Sequence, residues 1–367
     1  MISIAEVGSW IEALAPLAYQ ESYDNCGLLV GDPAAEVKGC LLTLDVTEAV
    51  VAEAVARGCN LVIAHHPVIF SGLKRITGRN YVERIVRDAI KHDVAIYAAH
   101  TNLDNVQHGV NAKIAAKLGL EQTRILAPVK GNLKKLYTYV PQAGFEAVQQ
   151  ALFAAGAGQI GQYSECSFAH PGTGTFRASE QANPVIGMAG GNRESVAEMK
   201  LEVVLPHYLE HQVLAALRKA HPYEEVAYEL VSLDNVNQTI GAGMVGELAV
   251  AMSELDFLHR VKDQLKAGVV RYTPLLNRPV KRVAVCGGSG SFLIKQAIGA
   301  GADVFVTADM KYHQFFDAEN QIVIADVGHF ESEQFTVALF YDHLTKKYDN
   351  FAVLLSDIQT NPVNYLS

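Results

Sequence analysis

The sequence predicts an α/β protein: a domain built around a sheet with helices on both faces, interrupted by a ferredoxin-like α+β insertion. Three observations lead there. Short apolar runs alternate with helical stretches in both outer thirds, the rhythm of βαβ units around a buried sheet. The middle third breaks that rhythm, because its strands alternate in polarity instead of running apolar. With 367 residues, the chain exceeds one ordinary core, so two or three domains are expected.

In the first third, Gly39–Leu44 (GCLLTL) reads as a buried strand and Thr47–Ala56 as a helix. Asn60–Ala64 (NLVIA) follows as a strand, Tyr81–His92 as a helix with apolar residues at helical spacing, and Val94–Ala99 (VAIYAA) as a third strand. The last third repeats the pattern with strands at Arg282–Cys286, Asp303–Val306 and Ile322–Ala325. A closing helix is expected over Ser332–Lys347, and Phe351–Leu355 completes or edges the sheet. Between them lie strand Lys135–Pro141, helix Gly144–Ala155 and a Gly-, Ser- and Pro-rich stretch from Gly156 to Pro184. Strand Lys200–Pro206, helix Tyr208–Ala220 and strand Val226–Leu233 follow, an order that suits a ferredoxin-like unit. The expected divisions are residues 1–127, 128–241 and 242–367.

Half of the residues are apolar and 19% are charged, as in a well-packed soluble protein. The net charge of −9, without any run of Lys or Arg, argues against nucleic acid as the main partner. No apolar run reaches the roughly 18–20 residues that span a bilayer. The first residues lack the basic and apolar regions of a secretory signal. Five scattered cysteines (Cys26, Cys40, Cys59, Cys166 and Cys286) form no CxxC pair and suit free thiols. Together these point to the cytoplasm.

The chemistry is concentrated at strand ends. His65-His66-Pro67 follows the strand Asn60–Ala64, and His100-Thr101-Asn102-Leu103-Asp104 follows Val94–Ala99. Gly328-His329-Phe330-Glu331-Ser332-Glu333 follows Ile322–Ala325 and enters the last helix. The carboxyl edge of an open α/β sheet is where ligands bind. His329 and Glu333 are four apart and share a helix face. Imidazoles and carboxylates suit zinc first, with manganese, iron or cobalt as alternatives. His65, His66, Asp104, His329 and Glu333 are therefore the expected ligands of two divalent ions per chain, with Glu333 or Asp104 able to bridge. Asp45, Thr307, Asp309 and His313 face the same edge as candidates for proton transfer or for orienting the imidazoles, although Asp309 equally suits a helix cap. His100 is expected to assist the site, as a further proton-transfer candidate, or to hold Asp104. The loop Cys286–Ser291 is either a phosphate cradle or a tight packing turn. Asp24-Asn25 lines the pocket or makes an ordinary turn, and His221–Glu225 in the insertion reads as a surface or subunit contact.

Six motifs in order resemble the Nif-three-like family, whose bacterial members are labelled GTP cyclohydrolase 1 type 2 homologs. They are Tyr23-Asp24-Asn25-x-Gly27-Leu-Leu-Val-Gly31, His65-His66-Pro67, His100-Thr101-x-Leu103-Asp104, Gly287-Gly288-Ser289-Gly290, Thr307-x-Asp309-x-Lys311-Tyr312-His313 and Gly328-His329-x-x-Ser332-Glu333. The middle third resembles the PII/CutA-like insertion of the longer members. Tyr23 stands where the family usually has Trp, and Ala308 where it has Gly. The resemblance implies a dinuclear metal centre on the same five ligands and a homohexameric toroid with the centres facing an internal cavity. It also implies hydrolysis of a nucleotide or related small molecule by metal-bound hydroxide, with Lys74, Arg75, Lys311 and the glycine loop as candidate triphosphate donors. The competing expectation is a metal-binding regulatory or interaction scaffold without turnover.

Overall fold

The computed structural model describes residues 1–366. Two compact units emerge: Met1–Pro128 together with the chain from Thr239 onward, and Val129–Gln238.

The first unit contains two sheets where the sequence suggests one. In the first sheet, Leu61–Ala64 pairs in parallel with Gly39–Thr43 on one side and Ala95–Ala98 on the other. Gly27–Val30 caps one edge in antiparallel sense, a strand not expected from the sequence. The terminal strand Ala352–Leu355 edges the other side, in parallel with Gly39–Thr43. It thus leaves the strands of its own third. In the second sheet Val304–Ala308 lies parallel between Val280–Ser289 and Val323–Asp326. The unexpected strands Val236–Met252, Leu120–Lys130 and Arg271–Tyr272 extend it.

The period-2 alternation of a strand explains how both sheets are covered. Leu42, Leu61 and Ile63 of the first sheet and Val283, Val304 and Val323 of the second enter one shared core. Val7, Ile114, Phe257 and Phe340 from four helices fill it. The opposite faces carry Leu41, Val62 and Ile96 in one case and Ala284, Phe305 and Ile324 in the other, each buried under further helices. Every central strand is therefore apolar on both faces, which is why each reads as an unbroken run.

The expected closing helix is broken in two, His329–Glu333 and Thr336–Thr345, with Gln334 and Phe335 between them. No helix among the described residues is long and apolar enough to cross a membrane.

The second unit is a four-stranded antiparallel sheet in the order Ser167–Phe176, Glu194–Pro206, Leu133–Pro141, Tyr228–Leu233. Helices Phe145–Ala154 and Glu210–Ala220 cover one face, packing Val148, Leu152, Val213 and Leu217 onto Leu136, Val140, Leu201 and Val203. This is a βαββαβ unit of ferredoxin-like order. Its strand Ser167–Phe176 falls inside the Gly-, Ser- and Pro-rich stretch, where no strand is expected from the sequence. Ladder bonds to Glu194–Pro206 hold that strand, while its side chains bury little, so it leaves no apolar pattern.

Gly31 shows how closely the first sheet is packed. It has φ +115°, and a Cβ there would lie 2.6 Å from Ala95 Cβ. Gly31→Ala should destabilise the first unit by about 2–4 kcal/mol through backbone strain and overpacking. The expected readout is a lower urea midpoint with an unchanged slope.

Candidate metal centre

The parallel strands of both sheets end at one cleft of about 970 Å³, all of it within the first unit. Backbone geometry at the end of Leu61–Ala64 separates the adjacent histidines. Leu44 O accepts from both His65 N (3.1 Å) and His66 N (3.0 Å), so the chain turns there. Asp104 ends the short helix Thr101–Asp104, and His329 and Glu333 lie one turn apart on the helix His329–Glu333.

Four histidines are oriented in the same way. His65 Nδ1–H donates to Ala99 O (2.8 Å), His66 Nδ1–H to Asp45 Oδ1 (2.7 Å), His329 Nδ1–H to Asp309 Oδ2 (2.6 Å) and His100 Nδ1–H to Asp24 Oδ1 (2.9 Å). Each bond fixes Nδ1–H and turns Nε2 toward the cluster, the arrangement common to metal-bound imidazoles. The Nε2 atoms of His66, His329 and His65 then lie 2.9, 3.0 and 3.8 Å from Glu333 Oε2. Asp104 Oδ1 is 3.6 Å from His65 Nε2. Three groups of donors are close enough to hold a metal ion: His65, Asp104 and Glu333; His66, His329 and Glu333; and His65, His66 and His100.

These residues fit a cation on a further observation. His65 Nε2 and Asp104 Oδ1 are shut from solvent without any hydrogen-bond partner, a situation that costs about 1–3 kcal/mol per group. A divalent ion satisfies both.

The electrostatics agree. Burial opposes charge on Glu333, but the His329 and His66 imidazoles within hydrogen-bond reach and the nearby His65 ring outweigh it and hold the carboxylate well below its usual range. Burial and the Glu333 charge push Asp104 well above its usual range. For His66 and His329 burial again disfavours charge. Hydrogen bonds to Asp45 and Glu333 still raise His66 to about 9, and bonds to Asp309 and Glu333 raise His329 to about 11. Burial lowers His65.

All five expected ligands meet, and His100 joins them. Asp309 also reaches the centre, holding His329; it adopts φ +55°, a conformation that Asp tolerates better than most residues. His313 does not come with it. It lies exposed on the 3₁₀ helix Tyr312–Ala318, its ring against Tyr312 and Phe316 and outside the cleft lining. Lys74, Arg75 and Lys311 are likewise exposed and outside the lining.

The glycine loop resolves as a packing turn. Gly287 N donates to Asn111 Oδ1 and Gly288 N to Ser332 Oγ. A Cβ on Gly288, which has φ +59°, would lie 2.5 Å from Glu333 Oε1. Gly288 thus leaves room for the Glu333 carboxylate to approach the backbone.

Asp24, expected either to line the pocket or to make a turn, braces His100, and Thr360 is a bracing position not expected from the sequence. The buried Asp24 carboxylate also accepts from Thr101 N and Thr101 Oγ1. Burial raises its pKa, but the bonds from His100 and Thr101 win and keep it ionised. Its polar turn just before Gly27 was a visible signal. Thr360 Oγ1 donates to Asp45 Oδ2 (2.7 Å), 315 positions away in sequence, and nothing local marks it.

A metal needs imidazole lone pairs, so it must displace protons from His66 and His329 near neutral pH. Apparent zinc affinity should therefore rise with pH between about 6 and 9. Calorimetric titration in buffers of different ionisation enthalpy should show net proton release; release of none would contradict this protonation pattern.

The profile of the family Duf34/NIF3 (NGG1p interacting factor 3) matches residues 2–362. The chain is 39% identical over 365 residues to a Bacillus subtilis protein named GTP cyclohydrolase 1 type 2 homolog, covering 97% of this chain and 96% of that one. A Staphylococcus aureus protein of the same name is 33% identical over 369 residues, with 100% of both chains covered. Among solved structures, a Bacillus cereus protein related to NIF3 has a TM-score of 0.86 at 39% identity, covering 100% of this chain and 99% of that one. A Staphylococcus aureus protein has a TM-score of 0.78 at 31% identity, with the same coverage. With matched sequence and fold over essentially its whole length, the chain belongs to the Duf34/NIF3 family.

Proposed function

We propose that the protein is a metal-dependent hydrolase of a small molecule, working at a dinuclear centre of His65, His66, Asp104, His329 and Glu333. The observation that carries this is the pair of buried, partnerless atoms His65 Nε2 and Asp104 Oδ1 beside the shared Glu333 carboxylate. Two donor groups, one with His65 and Asp104 and the other with His66 and His329, have Glu333 in common, which supports two ions bridged by that residue. Zinc suits this nitrogen and oxygen set, as do manganese, iron and cobalt. When bound, the ions would activate water at neutral pH and polarise the bond under attack.

The protein's own groups do the rest. Asp24 holds His100 Nδ1–H and leaves Nε2 to take a proton from water or give one to a leaving group. Asp309 and Asp45 keep His329 and His66 from rotating. The cleft is roomy enough for a substrate of several rings. The relatives' name points to ring opening of GTP; the same centre would serve amide or phosphoester cleavage. Assembly into a hexamer with the centres facing a cavity belongs to this proposal as well.

Elemental analysis and hydrolysis assays test it together. The native protein should retain about two divalent ions per chain and release formate, amine or phosphate from members of a panel of cyclic amides, nucleotides and phosphoesters. His65→Ala combined with His329→Ala, with folding checked by circular dichroism, should lose both metal and turnover. Metal retention without any turnover would favour the scaffold alternative. Asp24→Asn should keep the metal yet lower turnover about 100-fold, the scale of a general acid–base contribution; an unchanged rate would remove His100 from the chemistry.

A further inference from the structure

We propose that the cleft takes an uncharged planar heteroaromatic ring, stacked on Tyr23 and Phe70, and rejects polyphosphates. The inference rests on the hydrolase centre above and names its substrate class.

Charge is the first ground. Arg271 is the one Lys or Arg lining the cleft among the described residues, and it is held by Asp326 and by Met310 O. Carboxylates of Glu21, Asp45, Asp309, Asp326 and Glu331 line the same space besides those of the ligands. Two divalent ions would be largely neutralised by their own ligands and these neighbours, leaving little attraction for a triphosphate. In the glycine loop, Gly287 N and Gly288 N are bonded to Asn111 and Ser332. Phosphate recognition draws on cations and backbone N–H groups; Arg271 is already paired, and the glycine loop gives up two of its N–H groups to side chains.

The aromatic rim is the second ground. Tyr23 and Phe70 remain 64% and 52% exposed although both line the cleft. Their rings lie near-parallel at 22°, with centroids 6.4 Å apart, and Phe70 meets the edge of His100 at 6.0 Å. They are not loose surface residues. Asn25 Nδ2 donates to Ile69 O at 2.6 Å, and Asp24 is bonded to His100 and Thr101, so one turn fixes both rings relative to the metal ligands. Phe292, 63% exposed, lines the cleft as well. Exposed, positioned aromatic faces beside a catalytic centre suit a flat ring, for which stacking is favourable whatever its substituents.

Binding to the zinc-loaded full-length protein tests this. Guanosine, adenosine, cytidine and uridine are titrated beside GTP, inorganic triphosphate and a single-stranded oligonucleotide of the same bases. At least one nucleoside should bind ten or more times tighter than GTP and triphosphate. Tyr23→Ala combined with Phe70→Ala should weaken that nucleoside at least tenfold at unchanged zinc content. Tighter binding of GTP, triphosphate or the oligonucleotide overturns the proposal, as does binding of no nucleoside or indifference to the double variant. Zinc analysis of the same samples separates the two levels. Bound zinc with any of these results sinks this inference alone, whereas failure to take up zinc sinks the centre beneath it.

Discussion

The structure depends on one shared oxygen. Glu333 Oε2 sits within 3.0 Å of the Nε2 atoms of both His66 and His329 and within 3.8 Å of that of His65. A buried carboxylate with no compensation would be expensive. Here three imidazoles surround it, and they come from the two ends of the chain. His65 and His66 leave the first sheet, whereas His329 and Glu333 follow the second. Neither sheet can build the centre alone. The common core between the sheets, filled by Leu42, Val283, Ile114 and Phe340 among others, is what holds their carboxyl edges at this separation.

Around that oxygen, each imidazole is controlled from behind. Ala99 O, Asp45, Asp309 and Asp24 fix four Nδ1–H groups, and Thr360 in turn steadies Asp45. This produces local conflict as well as order. Asp309 accepts a left-handed backbone, and Gly288 must forgo a side chain. Strain gathered at a site in this way is a mark of function more than of stability.

Much of the centre was legible because metal ligation imposes residue type and local spacing at once. His-His after an apolar run, Asp four residues after a strand-end His, and His-x-x-x-Glu at a helix start need no knowledge of distant pairing. His313 satisfied the same pattern, yet the 3₁₀ helix that carries it turns its ring outward to Tyr312 and Phe316. Position after a strand gives the edge, not the direction of a side chain within the loop that follows.

The sequence by itself determined most of the central strands and helices, the α/β rhythm of the outer thirds, the insertion of a ferredoxin-like unit, and Glu333 with the four residues gathered round its carboxylate. Each of these follows from periodicity or residue chemistry within about ten positions. Tertiary structure alone decided that the outer thirds form two sheets, that Ala352–Leu355 crosses to the first of them, that Asp24 braces His100 and that Thr360 braces Asp45. It also decided that the glycine loop spends its N–H groups internally. The reason is the same in every case. A strand buried on both faces carries no local signal of its neighbour, and a hydrogen bond between residues 315 positions apart is set by packing of the whole unit and leaves no trace near either partner.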